Sequence, residues 1–209
     1  MDILWLVISA IVGYLLGSIN GAVLISKIFY GSDIRSHGSG NAGTTNMLRT
    51  FGKKAAAGTF LVDLLKGVVA ALLCGFFVSF VGSKIGYDMG ACVGGAFAIL
   101  GHNWPLYFGF KGGKGVLTSF AVLVVLTPLS ALCALGVFII VVAISRYVSL
   151  GSILAALTLP GFTWLFAGFT PVFYLGLVAA VLLIARHHAN IGRLIRGTES
   201  KLGQKSKKE

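Results

Sequence analysis

The sequence predicts an all-α membrane protein: a bundle of about seven transmembrane helices, with the N-terminus outside and the C-terminus cytoplasmic. Three observations lead there. Hydrophobic residues make up 56% of the chain and charged residues 11%, with a mean hydropathy of +0.92; soluble domains carry about 25% charged residues. Apolar stretches recur at the ~17–25 residues that a bilayer-spanning helix needs. The cations gather in short segments between those stretches, as the positive-inside rule describes. That placement accounts for the net charge of +11 without nucleic acid as a partner.

Taken in order, residues 4–29 form the first span. The start "MDILWLVISAIVGYLL" has no basic n-region and its apolar run outlasts a signal peptide, so it is retained. Residues 30–54 follow as a cytoplasmic loop containing "HGSGNAGTTNMLRTFGKK". The second span, 55–81, holds Asp63 and Lys66. Three residues apart, they share a helix face and are expected to pair inside the bundle. The third span, 88–108, leads into "GHNWPLYFGFKGGKG".

Residues 116–144 suit either one long tilted helix or two short ones broken at "LTPLS". Pro128 lacks an N–H and disfavours helix at Thr127. Charge decides between them. With separate spans 116–127 and 129–144, every Lys and Arg except Lys66 and Lys84 lies at one face. Merging them would send either Arg146 or the basic C-terminus to the other side. Spans 149–167 and 171–189 complete the set. A single membrane domain is expected over 1–196, with 197–209 as a basic, disordered cytoplasmic tail against anionic headgroups. Cys74, Cys92 and Cys133 sit in apolar segments without a CxxC, so neither a disulfide framework nor a zinc site is expected.

Four unusual polar segments fall on the cytoplasmic side: the first loop, 101–115, "SRYVSLGS" and "RHHANIGRLIR". Together they supply what a phosphate needs. Gly-rich backbone can turn successive N–H groups toward one anion, and here Gly40, Gly112 and Gly113 offer that freedom. Arg49 can hold an anion bidentately, while Lys111 and Lys114 supply compact charge. Ser39 and Thr44 add hydroxyls; Asn41 and Asn46 add amides. Asp33 is the lone carboxylate of these loops, which argues against a carboxylate-held Mg²⁺ or Ca²⁺. Neither a metal nor a cofactor is expected.

Several sharper motifs fail. "GFKGGKGV" misses the P-loop, because three residues separate Gly109 from Gly113 and Gly115 follows Lys114. No G-x-S-x-G elbow occurs. No His is followed five residues later by Asp: Tyr107 stands there after His102 and Gly192 after His187. His37 reads as a solvated surface residue and His102 as a helix-end hydrogen-bonding group. His187 and Asn190, three apart, can face the same way.

The first loop, the segments "GHNWPLYFGFKGGKG" and "RHHANIGRL", and "LVDLLKG" in the second span carry a specific resemblance. The chain is similar to the small bacterial integral-membrane glycerol-3-phosphate acyltransferases that use acyl phosphate. The resemblance covers essentially the whole chain. It implies acyl transfer to the 1-hydroxyl of sn-glycerol 3-phosphate, yielding lysophosphatidic acid and phosphate for phospholipid synthesis. It also implies a multi-pass protein of the bacterial inner membrane, active as a monomer, with its site facing the cytoplasm. Its catalytic residues would be Ser39, Arg49, Lys114, His187 and Asn190, with Ser149 lining the phosphate site. Either His187 or a phosphate oxygen of the substrate would act as base; His188 receives no role. The rival reading is a transporter for a phosphorylated solute, which cation-lined loops and broken helices also suit. Against it stand the lack of an inverted repeat and the one-sided placement of the polar motifs.

Overall fold

The computed structural model describes residues 1–204; Lys205, Ser206, Lys207, Lys208 and Glu209, part of the expected tail, lie outside the described residues. Among the described residues ten α-helices follow one another and no strand occurs. They fall into two compact units, Met1–Val122 and Leu123–Gln204.

The first unit holds α1 (Asp2–Gly17), α2 (Gly21–Tyr30), α3 (Thr44–Thr50), α4 (Lys53–Phe80) and α5 (Gly86–Asn103), and α6 (Val116–Leu126) crosses its boundary. The expected first span is not one continuous helix. Asn20 is extended (φ −96°, ψ 108°) and its Oδ1 accepts the Val23 N–H at 3.0 Å, capping α2 and breaking the run after α1. An Asn at the N-cap is among the strongest start signals a helix has. Part of the expected first loop is also helical. In α3, Met47 is fully buried against Ala22, Val23, Ile34, Ala42 and Ala55, and Phe51 packs on that cluster. This small apolar core gives the loop a rigid base.

α4 shows the inversion that lipid imposes. Its buried face reads Ala56, Thr59, Asp63, Lys66, Gly67, Ala70, Cys74 and Gly75. Its exposed face carries Phe60, Leu61, Leu65, Leu73, Phe76 and Phe80. Lipid tails are as apolar as leucine, so helices associate through close backbone packing by small residues. The α1–α5 contact is built that way. A Cβ on Gly13 would collide with the Gly94 carbonyl, one on Gly17 with the Ala98 carbonyl, and one on Gly101 with the Tyr14 carbonyl.

Asp63 and Lys66 pair as expected, with Nζ 2.8 Å from Oδ1 and both side chains buried. The Lys66 ammonium has three N–H groups and three acceptors: Asp63 Oδ1, the Ile19 carbonyl at 2.8 Å and His102 Nδ1 at 2.9 Å. Asp63 Oδ1 also accepts the Gly21 N–H at 3.3 Å. The cluster thus joins the α1–α2 break, α4 and the end of α5. Removing one charge alone would strand the other in the interior, at a cost of about 3–5 kcal/mol.

The second unit holds α7 (Pro128–Ser145), α8 (Val148–Ala167), α9 (Pro171–Arg186) and α10 (His188–Ile195). The chain breaks at Thr127 (φ −152°), and Pro128 opens α7, where its missing N–H costs nothing. Ser130 Oγ donates to the Phe162 carbonyl at 3.1 Å, tying α7 to α8. α9 and α10 meet at a 55° bend, so the last polar segment is helical where a loop was expected. Residues 197–204 are described and make defined contacts: the Leu202 N–H donates to the Arg146 carbonyl at 2.7 Å.

By length and composition four helical stretches can cross a membrane: Asp2–Tyr30, Lys53–Phe80, Pro128–Ser145 and Val148–Ala167; the bent α9–α10 pair would make a fifth. α6, with 11 residues, is shorter than a span requires. The protein is a multi-pass membrane protein.

Candidate active site

The first loop is organised from beneath by Asn46. This α3 residue is 2% exposed, and its Nδ2 donates to the carbonyls of Ile34 (3.3 Å), His37 (2.9 Å) and Asn41 (3.1 Å). Its Oδ1 accepts the Ser39 N–H at 3.0 Å. Asn46, expected against substrate, uses its amide to fold the loop and fix the Ser39 backbone. Gly38 has a positive φ (57°), and a Cβ there would run into Asn46 Oδ1, so this turn requires glycine. Ser39 and Gly40 are exposed, while Asn41 and Thr44 are partly buried. Arg49, partly buried, stands in the last turn of α3.

Arg35 escaped the sequence reading. Its Nε and Nη2 grip Asp33 Oδ1 and Oδ2 at 2.9 and 2.8 Å, while Nη1 donates to the carbonyls of Phe108 (2.6 Å) and Lys111 (3.1 Å). It therefore ties the second loop to the first. The Arg35 guanidinium, against a smaller opposing effect of burial, holds the Asp33 carboxyl well below the usual carboxylate range. Lys27 lies 3.4 Å from the same group. The one loop carboxylate is thus engaged by cations of its own chain. A D-x-R spacing was the available signal.

In the second loop the Gly112 and Gly113 N–H groups donate to the carbonyls of Asn103 (3.3 Å) and His102 (3.1 Å). They close the C-terminal end of α5, a common use for N–H groups beyond a helix. Expected to face an anion, these two N–H groups serve the helix end. Their glycine identity has a steric cause: a Cβ on Gly112 would strike the His102 carbonyl, and one on Gly113 would strike His102 Nε2 and lie 2.9 Å from the Ala42 carbonyl. That last approach brings the second loop against the first, with Lys111 exposed and Lys114 partly buried.

His37 is partly buried: its Nε2 lies 2.6 Å from Ser32 Oγ and its ring meets Phe51 edge-on. His102, expected to bond at the helix end, accepts the Gly113 N–H there through its carbonyl, and its ring reaches Lys66.

In the second unit Ser149, Asn190 and Arg193 converge on Glu199. Ser149 Oγ donates to Oε1 at 2.8 Å, Asn190 Nδ2 to Oε1 at 2.7 Å and Arg193 Nε to Oε2 at 2.6 Å. Glu199 is only 8% exposed. It lies in the stretch expected as a tail, where an acid just after the cations of α10 was the available signal. Burial pushes its carboxyl up, but the three donors outweigh this and hold it below its ordinary value. His187, 2% exposed, has Nδ1 2.8 Å from the Leu183 carbonyl. A carbonyl only accepts, so Nδ1 carries a proton and points away from any substrate. His188 is exposed and bonds the Ala185 carbonyl at 3.0 Å.

Comparison with known proteins gives these loops a context. The family model described as glycerol-3-phosphate acyltransferase matches residues 7–197. A glycerol-3-phosphate acyltransferase of Thermoanaerobacter sp. (strain X514) is 43% identical over 97% of this chain and 98% of its own length. One from Clostridioides difficile (strain 630) is 45% identical over 98% and 99%. Among solved structures, the glycerol 3-phosphate form of PlsY, an integral membrane glycerol 3-phosphate acyltransferase, superposes with a TM-score of 0.84 at 37% identity, covering 95% of this chain and 96% of that one. Its lysophosphatidic acid form gives 0.81 at 35%, covering 95% of each chain. In sequence along nearly its whole length, and in fold, this chain belongs to the glycerol-3-phosphate acyltransferase family.

Proposed function

We propose that the protein transfers a fatty acyl group from acyl phosphate to the 1-hydroxyl of sn-glycerol 3-phosphate. The hydroxyl oxygen bonds to the acyl carbon, the acyl–phosphate C–O bond breaks, and lysophosphatidic acid and inorganic phosphate leave. The observation that carries this reading is the family match over residues 7–197, which spans the loops bearing Ser39, Arg49, Lys114, His187 and Asn190. An acyl phosphate is already activated, so no enzyme nucleophile is needed. What the protein must do is hold two anions, align hydroxyl with carbonyl, and stabilise the oxyanion.

In this scheme Arg49 and Lys114 hold phosphate, Ser39 and Thr44 add hydroxyl contacts, and Lys111 raises the local positive potential. Gly40, Asn41, Gly112 and Gly113 shape the loops, and Asn46 fixes Ser39. Asn190 donates to the developing oxyanion, and Ser149 lines the phosphate position, exchanging its Glu199 contact for substrate. The hydroxyl proton passes to His187 Nε2 or to a phosphate oxygen. The protein acts as a monomer among membrane lipids, as a single membrane domain that runs on past residue 196 to include Glu199, with a basic tail beyond. It crosses the bacterial inner membrane seven times, with the N-terminus outside and the site in the cytoplasm.

The donor is the sharpest test. Purified protein in detergent or a lipid mesophase is given glycerol 3-phosphate with acyl phosphate, acyl-coenzyme A or acyl-carrier protein in separate reactions. Lysophosphatidic acid is expected from acyl phosphate alone. Comparable product from a thioester free of acyl phosphate would refute the donor assignment. Topology is checked by thiol labelling in a background lacking Cys74, Cys92 and Cys133. Thr44→Cys and Lys111→Cys should label only after the membrane is opened, and Gly82→Cys in intact cells. Labelling of position 44 from outside would contradict the orientation.

A further inference from the structure

The buried cluster beneath the second loop takes no part in the scheme above, yet its geometry fixes one side of the His102 ring. An ammonium only donates, so the 2.9 Å contact between Lys66 Nζ and His102 Nδ1 makes Nδ1 an acceptor. The proton of neutral His102 must then sit on Nε2. A doubly protonated ring would set an N–H against an N–H here, and Asp63 Oδ1, 3.7 Å from Nδ1, lies beyond hydrogen-bond distance of that nitrogen. Lys66 cannot turn away, since its other two hydrogens are held by Asp63 and the Ile19 carbonyl.

The other edge of the same ring faces the loop. His102 Nε2 abuts the α-carbon of Gly113, and the Gly113 N–H donates to the His102 carbonyl at 3.1 Å. Ring and backbone of one residue thus seat the segment that ends in Lys114. Charged side chains buried within a membrane protein are expensive and mark function more often than not.

We propose that Lys66 is a positioning residue for the second loop: it fixes His102 in its Nε2–H form and so holds Gly112, Gly113 and Lys114 in their phosphate-binding conformation. The role rests on the functional reading above, with Lys114 as a phosphate ligand. Asp63 balances the ammonium and anchors the start of α2, so the first loop is referred to the same centre. The arrangement resembles the outer-shell partners of metal-bound histidines, which set tautomer and ring orientation without touching the reacting atoms.

The test pairs spectroscopy with kinetics on the full chain. Lys66→Met alone strands Asp63, so the main variant is Asp63→Asn with Lys66→Met, which removes both charges and keeps an acceptor for the Gly21 N–H. Ring-nitrogen NMR of histidine-labelled protein identifies the His102 signal by its loss in His102→Gln. The parent should show the Nε2–H form alone and the double variant a mixture. With that change, KM for at least one phosphorylated substrate should rise about tenfold while kcat stays within about twofold, the pattern of lost ground-state binding. His102→Gln places an amide nitrogen near the Nε2 position and should keep KM near the parent value; His102→Asn does not reach and should raise it. An Nδ1–H form in the parent, an unchanged tautomer in the double variant, or equal KM for Gln and Asn at 102 would overturn the proposal. A parent without acyl transfer would refute the functional reading alone, and the tautomer comparison would still decide the role of Lys66.

Discussion

Arg49→Ala is expected to lower kcat/KM about 100- to 1,000-fold, the usual loss when one preorganised donor to a developing charge is removed. That corresponds to about 3–4 kcal/mol at 1.36 kcal/mol per tenfold. Arg49 stands in the last turn of α3, whose position is set by Met47 and Phe51 in the small apolar core. The loss should therefore reflect missing chemistry, because the supporting core is untouched. Arg49→Lys keeps the charge but loses the planar fork that grips phosphate through two parallel bonds, so it should recover only part of the activity. Lys114→Ala should fall in the same range. Near-parental turnover by both alanine variants, in samples with parental melting temperature, would remove these residues from the site.

Glu199→Ala should clearly destabilise the second unit. The carboxylate accepts from Ser149, Asn190 and Arg193, and hydrogen bonds to a charged group contribute about 1.5–3 kcal/mol each. They share one centre, so their losses do not add, and Arg193 can turn to solvent. A total of about 2–4 kcal/mol follows, read as a lower melting temperature. Because the folded carboxyl sits below its ordinary value, its stabilisation is complete above the unfolded carboxyl's pKa of about 4.3. It disappears as pH falls through the lower folded value. Melting should therefore respond to acid below about pH 4 more steeply in the parent than in Glu199→Gln. Parental stability of Glu199→Ala would show that Ser149, Asn190 and Arg193 hold their places without it.

Which features were legible in the sequence follows from length scale. Apolar stretches near bilayer thickness, and the stop at Pro128, stand out from hydropathy and from proline's missing N–H alone. The break at Asn20 was hidden because its signal is one polar residue inside an apolar run. α3 and α10 are too short and polar to show a period, and they exist because tertiary contacts support them. The site was legible as an inventory of residue types but not as a division of labour. Asn46 and Gly113 look like ligands on paper; their polar atoms also fold the loops, Asn46 through Ile34, His37, Ser39 and Asn41 and Gly113 through His102. Arg35 and Glu199 were missed for the converse reason, being ordinary charged residues whose meaning lies in what they reach.

The glycine contacts between α1 and α5 bear on traffic within the bilayer. Where Gly13 meets Gly94 and Gly17 meets Ala98, no room exists for even one added carbon. An alkyl chain is several times wider than that clearance, so the seam is shut to fatty acyl groups on either side of it. The hydrocarbon tail of an acyl donor therefore has to enter the protein by a route that does not part these two helices.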